Sequence, residues 1–313
     1  MELLTAFGSI FSIVIMISIG YFLTQKEWID NGGAKLFSKI VINVSLPAMM
    51  INNLMNDFDR EKLLSLGRGL IVPFLSIALT YLLGKIFIKV FNITPNRRGS
   101  FLSMFFVSNT IFIGLPVNLA LFGSESIPYV LLYYIANTTF FWTIGVFEIS
   151  KDGKGESQGL LSMNTIKRIF SPPLMGFIVA IILILLAIPV PKFAMDTCKY
   201  LGNLTTPLSM MFIGNTIYHI DLKGMHFNKD VWGILLGRFI ISPLMVVLLC
   251  KVFPLPDALM TKVFIIQAAM PVMTNTAIVS KSYDADYEYA AIMITITTIL
   301  SLFIIPVYKI LLQ

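Results

Sequence analysis

The chain has 313 residues, 57% of them hydrophobic and only 13% charged, with a mean hydropathy of +0.83. A soluble domain carries about 25% charged residues, so the composition excludes a single soluble core and indicates a polytopic membrane protein. The net charge of +6 then encodes orientation in a bilayer and gives no footprint for nucleic acid.

The N-terminal run MELLTAFGSIFSIVIMISIGYFLTQK lacks a basic leader and a small-residue cleavage site, and reads as a first span, not a removable signal. Ten apolar stretches approach the length of about 20 residues that a bilayer helix needs. They lie near 4–24, 36–55, 64–88, 98–122, 127–148, 168–188, 194–218, 231–252, 258–281 and 288–311. All are predicted to be helices, because a lipid-embedded backbone must satisfy its own polar groups. They are too long and too continuously apolar for barrel strands.

Placing the N-terminus outside puts fourteen of the 23 basic residues on the inner side and seven on the outer, with Arg68 and Arg238 inside spans. That bias predicts both termini outside for a multi-pass membrane protein. The polar run SKDGKGESQGLLSMNT (Ser150–Thr165) is then cytoplasmic, and divides the chain into 1–149, a linker over 150–166, and 167–313. Short motifs recur across that division. NVSLP (Asn43–Pro47) returns as NLTTP (Asn203–Pro207), and GRGLIVP (Gly67–Pro73) returns as GRFIISP (Gly237–Pro243). The first pair lies in spans two and seven, the second in spans three and eight. A shift of five spans is odd, so the second half is inverted relative to the first, as in many secondary transporters.

Span four contains SNTIFIGLPV (Ser108–Val117). Pro116 lacks an N–H and clashes with the carbonyl four residues back; Gly114 loosens the backbone further. A break is expected between Asn109 and Pro116, with Pro116 near the first turn of a second half-helix. Span nine contains QAAMPVMTNT, in which Pro271 breaks the helix among Gln267, Thr274, Asn275 and Thr276. Matched broken helices point to a transport site. The second half-helices offer free N–H groups and positive dipole ends. Asn109 and Asn275 add amides; Thr110 and Thr274 add hydroxyls. A small carboxylate fits this set, with Gln267, Gly114, Pro116 and Pro271 lining it and Asn43, Asn203 and Arg238 as secondary candidates. Arg238 can pair with a helix C-terminus, snorkel, or attract a second carboxylate.

The segments SNTIFIGLPVNLALFG, AAMPVMTNTAIVSKSYDAD and NVSLPAMMINNL resemble the auxin efflux carrier family, the PIN-like membrane transporters, in its bacterial branch. The resemblance implies an all-α fold of ten transmembrane helices in two inverted five-helix repeats, with helices four and nine crossing at unwound centres, as in bile-acid symporters and sodium/proton antiporters. It also implies a homodimer and an elevator mechanism, with helices 1, 2, 6 and 7 as scaffold and helices 3–5 and 8–10 as the moving domain. Asn109 matches the family's substrate-contacting Asn, and Pro116 and Pro271 match its crossover prolines. The long central loop of plant members is missing here, so plant-type regulation and auxin itself are not expected.

All 17 acidic residues fall in loops or at span ends. Paired midplane carboxylates for proton antiport are therefore not expected. A sodium site of carbonyl, Asn and Thr oxygens stays open beside facilitated diffusion. Cys198 and Cys250 have no metal or redox spacing, and no cofactor is expected. The expectation is a carrier of a small organic anion such as malonate or malate. The alternatives are a carboxylate sensor without transport and a sodium-coupled symporter of an amino acid or monocarboxylate. An intramembrane enzyme would need a catalytic cluster that the sequence does not show.

Overall fold

The computed structural model describes residues 2–57, 60, 67–153, 170–219 and 228–312. Most of the expected linker over 150–166, His226 and the side chain of Arg68 lie outside the described residues. Among these, the chain is helical and holds no strand beyond one isolated bridge. The helices are α1 (Glu2–Gln25), α2 (Asn31–Ile40), α3 (Leu46–Asp57), α4 (Ile71–Val90), α5 (Arg98–Phe106), α6 (Leu115–Phe122), α7 (Ile127–Phe140), α8 (Val146–Ser150) and α9 (Pro172–Leu185). They continue as α10 (Lys192–Gly202), α11 (Thr205–Tyr218), α12 (Lys229–Leu236), α13 (Ser242–Val252), α14 (Ala258–Ala268), α15 (Asn275–Ser282) and α16 (Tyr287–Leu311).

Four π turns splice neighbouring helices: Val41–Ser45 joins α2 to α3, Thr110–Gly114 leads into α6, Phe141–Gly145 joins α7 to α8, and Gly237–Ile241 joins α12 to α13. Counted through such splices, five helices among the described residues are long and apolar enough to cross a membrane: Gly32–Asn56, Ile71–Val90, Ser124–Ser150, Lys229–Val252 and Tyr287–Leu311. Shorter apolar helices cover Phe11–Gln25, Thr110–Phe122, Pro172–Leu185 and Ala258–Ala268. The stretch 194–218, expected as one span, is two helices that part at Asn203 and Leu204.

The chain divides into two units. The first comprises Met1–Arg68, Ile111–Leu131 and Phe170–His219; the second comprises Gly69–Thr110, Leu132–Ile169 and Ile220–Gln313. In the first unit α1 packs on α11, while α9 and α10 pack on α3. The α1–α11 contact is tight enough to require glycine on both sides. A Cβ on Gly20 would stand 2.5 Å from the Met211 carbonyl oxygen, and one on Gly214 would stand 2.2 Å from the Ile17 carbonyl oxygen. Such close backbone approach is how helices associate where lipid removes the hydrophobic drive. Asn215 adds a buried tie, donating to Thr24 Oγ1 at 3.2 Å.

The second unit has a core of Phe101, Phe105, Ile234, Phe239, Val272 and Ile294. Its polar ends are tied across elements. Arg97 pairs with Asp286 at 2.6 Å and lies 3.9 Å from Asp230. Both oxygens of Asp152 accept from the first backbone N–H groups of α5, Gly99 at 2.7 Å and Ser100 at 2.6 Å. Asp152 thereby caps α5 from the chain end of α8 and complements its dipole.

Candidate functional site

Two helices of the second unit are interrupted. After α5 the chain runs extended through Val107, Ser108 and Asn109 and turns helical again at Thr110. After α14 it unwinds around Pro271 and turns helical again at Asn275. Pro271 cannot donate to a helical carbonyl and drives the residue before it out of the α region. The expected break in span nine therefore falls on its proline. In span four it does not: the break lies at 107–109, ahead of Pro116. Pro116 is accommodated within helical chain, two residues after the wide π turn Thr110–Gly114. A π turn moves the hydrogen bonds to a longer spacing and so eases the ring's clash with the carbonyl four residues back.

The extended segments pair with each other. Ser108 and Val272 form an antiparallel bridge, and Asn109 N–H donates to the Pro271 carbonyl at 2.8 Å. Buried backbone removed from a helix still needs partners, and each segment finds them in a neighbouring helix. Asn137 of α7 accepts from Ser108 N–H at 2.9 Å and donates its amide to the Ser108 carbonyl at 2.9 Å. Thr297 of α16 accepts from Val272 N–H at 3.1 Å and donates to the Met293 carbonyl at 2.7 Å. Both side chains are fully buried. The motif reading overlooked Asn137 and Thr297. A broken span leaves orphaned backbone groups, and polar residues within neighbouring spans, Asn137 and Thr297 among several, are candidates to satisfy them.

Side chains expected at the site meet at this bridge. Asn109 is 3% exposed and donates its amide to Thr274 Oγ1 at 2.8 Å. Gln267, with no exposed surface, donates to the Thr110 carbonyl at 3.3 Å. Among the described residues its Oε1 has no hydrogen-bond partner, and neither has the buried Thr276 hydroxyl. Asn275 is half-buried at the start of α15. Pro271, Thr274, Asn275, Gln267, Asn109 and Thr110 thus belong to one unit. Gly114 and Pro116 fall in the other, where the Gly114 carbonyl accepts from Asn118 at 2.7 Å. Asn43 and Asn203 also lie in that other unit and are exposed, Asn43 turned back on the Lys39 carbonyl of its own helix.

Arg238 is completely buried in the π turn Gly237–Ile241, and no carboxylate within the described residues pairs with it. Its guanidinium ties together the C-terminal ends of the two interrupted half-helices. It donates to the Phe105 carbonyl of α5 at 3.3 Å, to the Met270 carbonyl after α14 at 3.2 Å, and to the Ala268 carbonyl. A fourth bond reaches Ser242 Oγ at 3.3 Å. The last carbonyls of a helix have no partner inside it and carry its negative dipole end. Arg238 satisfies both needs for two helices at once. Chemically, the crossing offers amides, hydroxyls and one nearby buried cation. Within the described residues, no group of three His, Cys, Asp or Glu side chains could hold a metal ion.

Comparison with known proteins bears on what such a crossing is for. An uncharacterized transporter of Methanocaldococcus jannaschii is 27% identical over 305 residues, covering 95% of each chain. An uncharacterized transporter of Methanothermobacter thermautotrophicus is 24% identical over 307 residues, covering 97% of each. A Rhizobium meliloti protein named "Putative malonate transporter" is 21% identical over 184 residues, 58% of this chain and 57% of its own. The family described as membrane transport protein matches residues 5–309. With that match over nearly its whole length, the chain belongs to the membrane transport protein family, that of the PIN-like auxin efflux carriers.

Proposed function

We propose that the protein is a secondary transporter that carries a small organic anion, a carboxylate of the malonate or malate class, by an elevator-type alternating-access cycle. The observation that carries this reading is the pairing of the two helix breaks at Ser108 and Val272, with Asn109 and Thr274 bonded beside it. Helical chain restarts at Asn275 directly after the extended residues around Pro271, and the positive dipole end at the start of α15 favours a bound carboxylate. Arg238 makes the surroundings positive, and amides and hydroxyls complete the donor set. The family membership supports transport, and the printed name of the Rhizobium meliloti relative supports a dicarboxylate.

On this reading ten helices form two inverted repeats. Several features recur at the repeat spacing. Asn137 and Thr297 occupy corresponding helices and each anchors a break. α2 and α10 each end at the repeated Asn43 and Asn203 motifs, one in a π turn and the other in a full break. The spans read as scaffold, helices 1, 2, 6 and 7, share one unit of the chain; Ile111–Leu131 groups with them, and the remaining described helices form the other unit. The protein works as a homodimer in the plasma membrane with both termini outside.

A second reading, sodium-coupled symport, draws on Gln267 Oε1, a buried acceptor without a donor among the described residues. Oxygen ligands of this kind suit a hard cation. Uptake of labelled malonate, malate, lactate and an amino-acid mixture into proteoliposomes, with and without an inward sodium gradient, tests both. Saturable uptake of one acid supports the carrier, and its dependence on the gradient decides the coupling. Folded protein that moves none of them contradicts the proposal and favours a sensor.

A further inference from the structure

Away from the crossing, the second unit has a cavity of about 610 Å³ where α4 ends, between the loop 91–97, the start of α5 and the end of α8. Four cations line it, Lys85, Lys89, Arg98 and Lys151, against two acids, Glu148 and Asp152, leaving a net charge of +2. Lys85 and Lys89 stand one helical turn apart and face the same side.

The acids are already engaged. Glu148 accepts from Tyr81 at 2.7 Å, lies 3.0 Å from Lys151 and 3.6 Å from Lys85. Asp152 gives both oxygens to the backbone at the start of α5. Burial pushes its carboxyl above the usual range, against the pull of those N–H groups. Lys89 and Arg98 have no acidic partner within the described residues; Arg98 donates only Nε to the Ile93 carbonyl, at 3.0 Å. Ile88 and Leu102 supply an apolar wall. α4 is apolar enough to cross the membrane, so the cavity at its end lies near the headgroup level, where anionic lipids concentrate cations and are concentrated by them.

We infer that this cavity is a binding site for a phosphate-bearing anion, held between Lys89 and Arg98 with its apolar portion against Ile88 and Leu102. The cations that Glu148 orients, Lys85 and Lys151, close the site around the phosphate. This inference does not depend on which substrate the crossing carries.

The test is native mass spectrometry of the delipidated full chain in detergent. It is titrated in separate arms with phosphatidylglycerol, phosphatidylcholine and inorganic phosphate, beside the Lys89→Gln/Arg98→Gln double variant. Both positions are exposed, so the variant should fold; Lys151→Gln serves as a second variant. One phosphatidylglycerol should bind the wild type well below the concentration at which phosphatidylcholine does. Each cation removed should weaken it about fivefold. If millimolar phosphate displaces the lipid from the wild type but not from residual sites in the variant, both sources share the site. If phosphate binds and phosphatidylglycerol shows no preference, the ligand is a free phosphate and not a lipid. Equal binding of all three by wild type and variants would overturn the inference.

Discussion

Asn109 is held at both ends, its backbone N–H on the Pro271 carbonyl and its amide on Thr274 Oγ1. A side chain fixed in this way meets a substrate without first losing rotamer freedom, which favours binding. Thr274→Val keeps the shape and removes the hydroxyl, both the acceptor for Asn109 and a donor to the substrate. It should weaken transport through KM by roughly tenfold, the value of one hydrogen bond near a charge, with the thermal midpoint nearly unchanged. Asn137 and Thr297 act mainly on the backbone, Asn137 also accepting from the Ser108 hydroxyl at 3.3 Å. Asn137→Leu should orphan the Ser108 N–H, while the Ser108 carbonyl keeps the Thr110 N–H at 3.0 Å, and lower unfolding stability by about 1–3 kcal/mol; Thr297→Val, which orphans the Val272 N–H, should cost somewhat less, read by denaturation in detergent. Arg238→Met leaves the carbonyls of Phe105, Ala268 and Met270 without a donor. It should destabilise the protein more than either, by several kcal/mol. Arg238→Lys, a point donor that cannot span both helix ends, should recover part of that loss. Equal stability of Arg238→Met and wild type would remove its role as the tie between the half-helices.

At the level of elements, the sequence announced one break and displaced the other. Pro271 carries its own steric argument, so the interruption of span nine was legible. In span four the interruption lies ahead of Pro116, at Val107–Asn109, three residues of only mildly poor helix propensity. Tertiary bonds set it: Asn137 and the Pro271 carbonyl replace the helical partners of that backbone. Local propensity yields to such pairing, and a π turn then absorbs the proline that seemed decisive. The division of 194–218 at Asn203 was visible only as an Asn motif, because hydropathy does not distinguish an amphipathic helix followed by a short apolar one from a single span. Arg238 was readable as a partner for a helix C-terminus, though not that it would serve two. Close packing was not legible at all, since Gly20 and Gly214 reveal their partners only in space. Gly214→Val or Gly20→Val should push α1 and α11 apart and lower the thermal midpoint by several degrees, while Gly67→Ala, where a Cβ meets nothing within 4 Å among the described residues, should not.

For the whole molecule, orientation rests on the basic residues and has a direct check. In a background with Cys198→Ser and Cys250→Ser, Glu125→Cys should react with an impermeant maleimide in intact cells, and Lys151→Cys should react only after lysis. The reverse pattern would invert the protein in the membrane. Transport itself requires the crossing to receive the substrate, and flux through the reconstituted protein tests that most directly. Uptake of the acid that the panel identifies is compared for wild type, Asn109→Ala, Thr274→Val and the double variant, each shown to be folded by its thermal profile. A site at the crossing predicts saturable wild-type uptake, flux reduced at least tenfold in Asn109→Ala, and a double variant little worse than Asn109→Ala alone, because the two side chains act through one bond. Unchanged uptake by folded Asn109→Ala would contradict the crossing as the binding site.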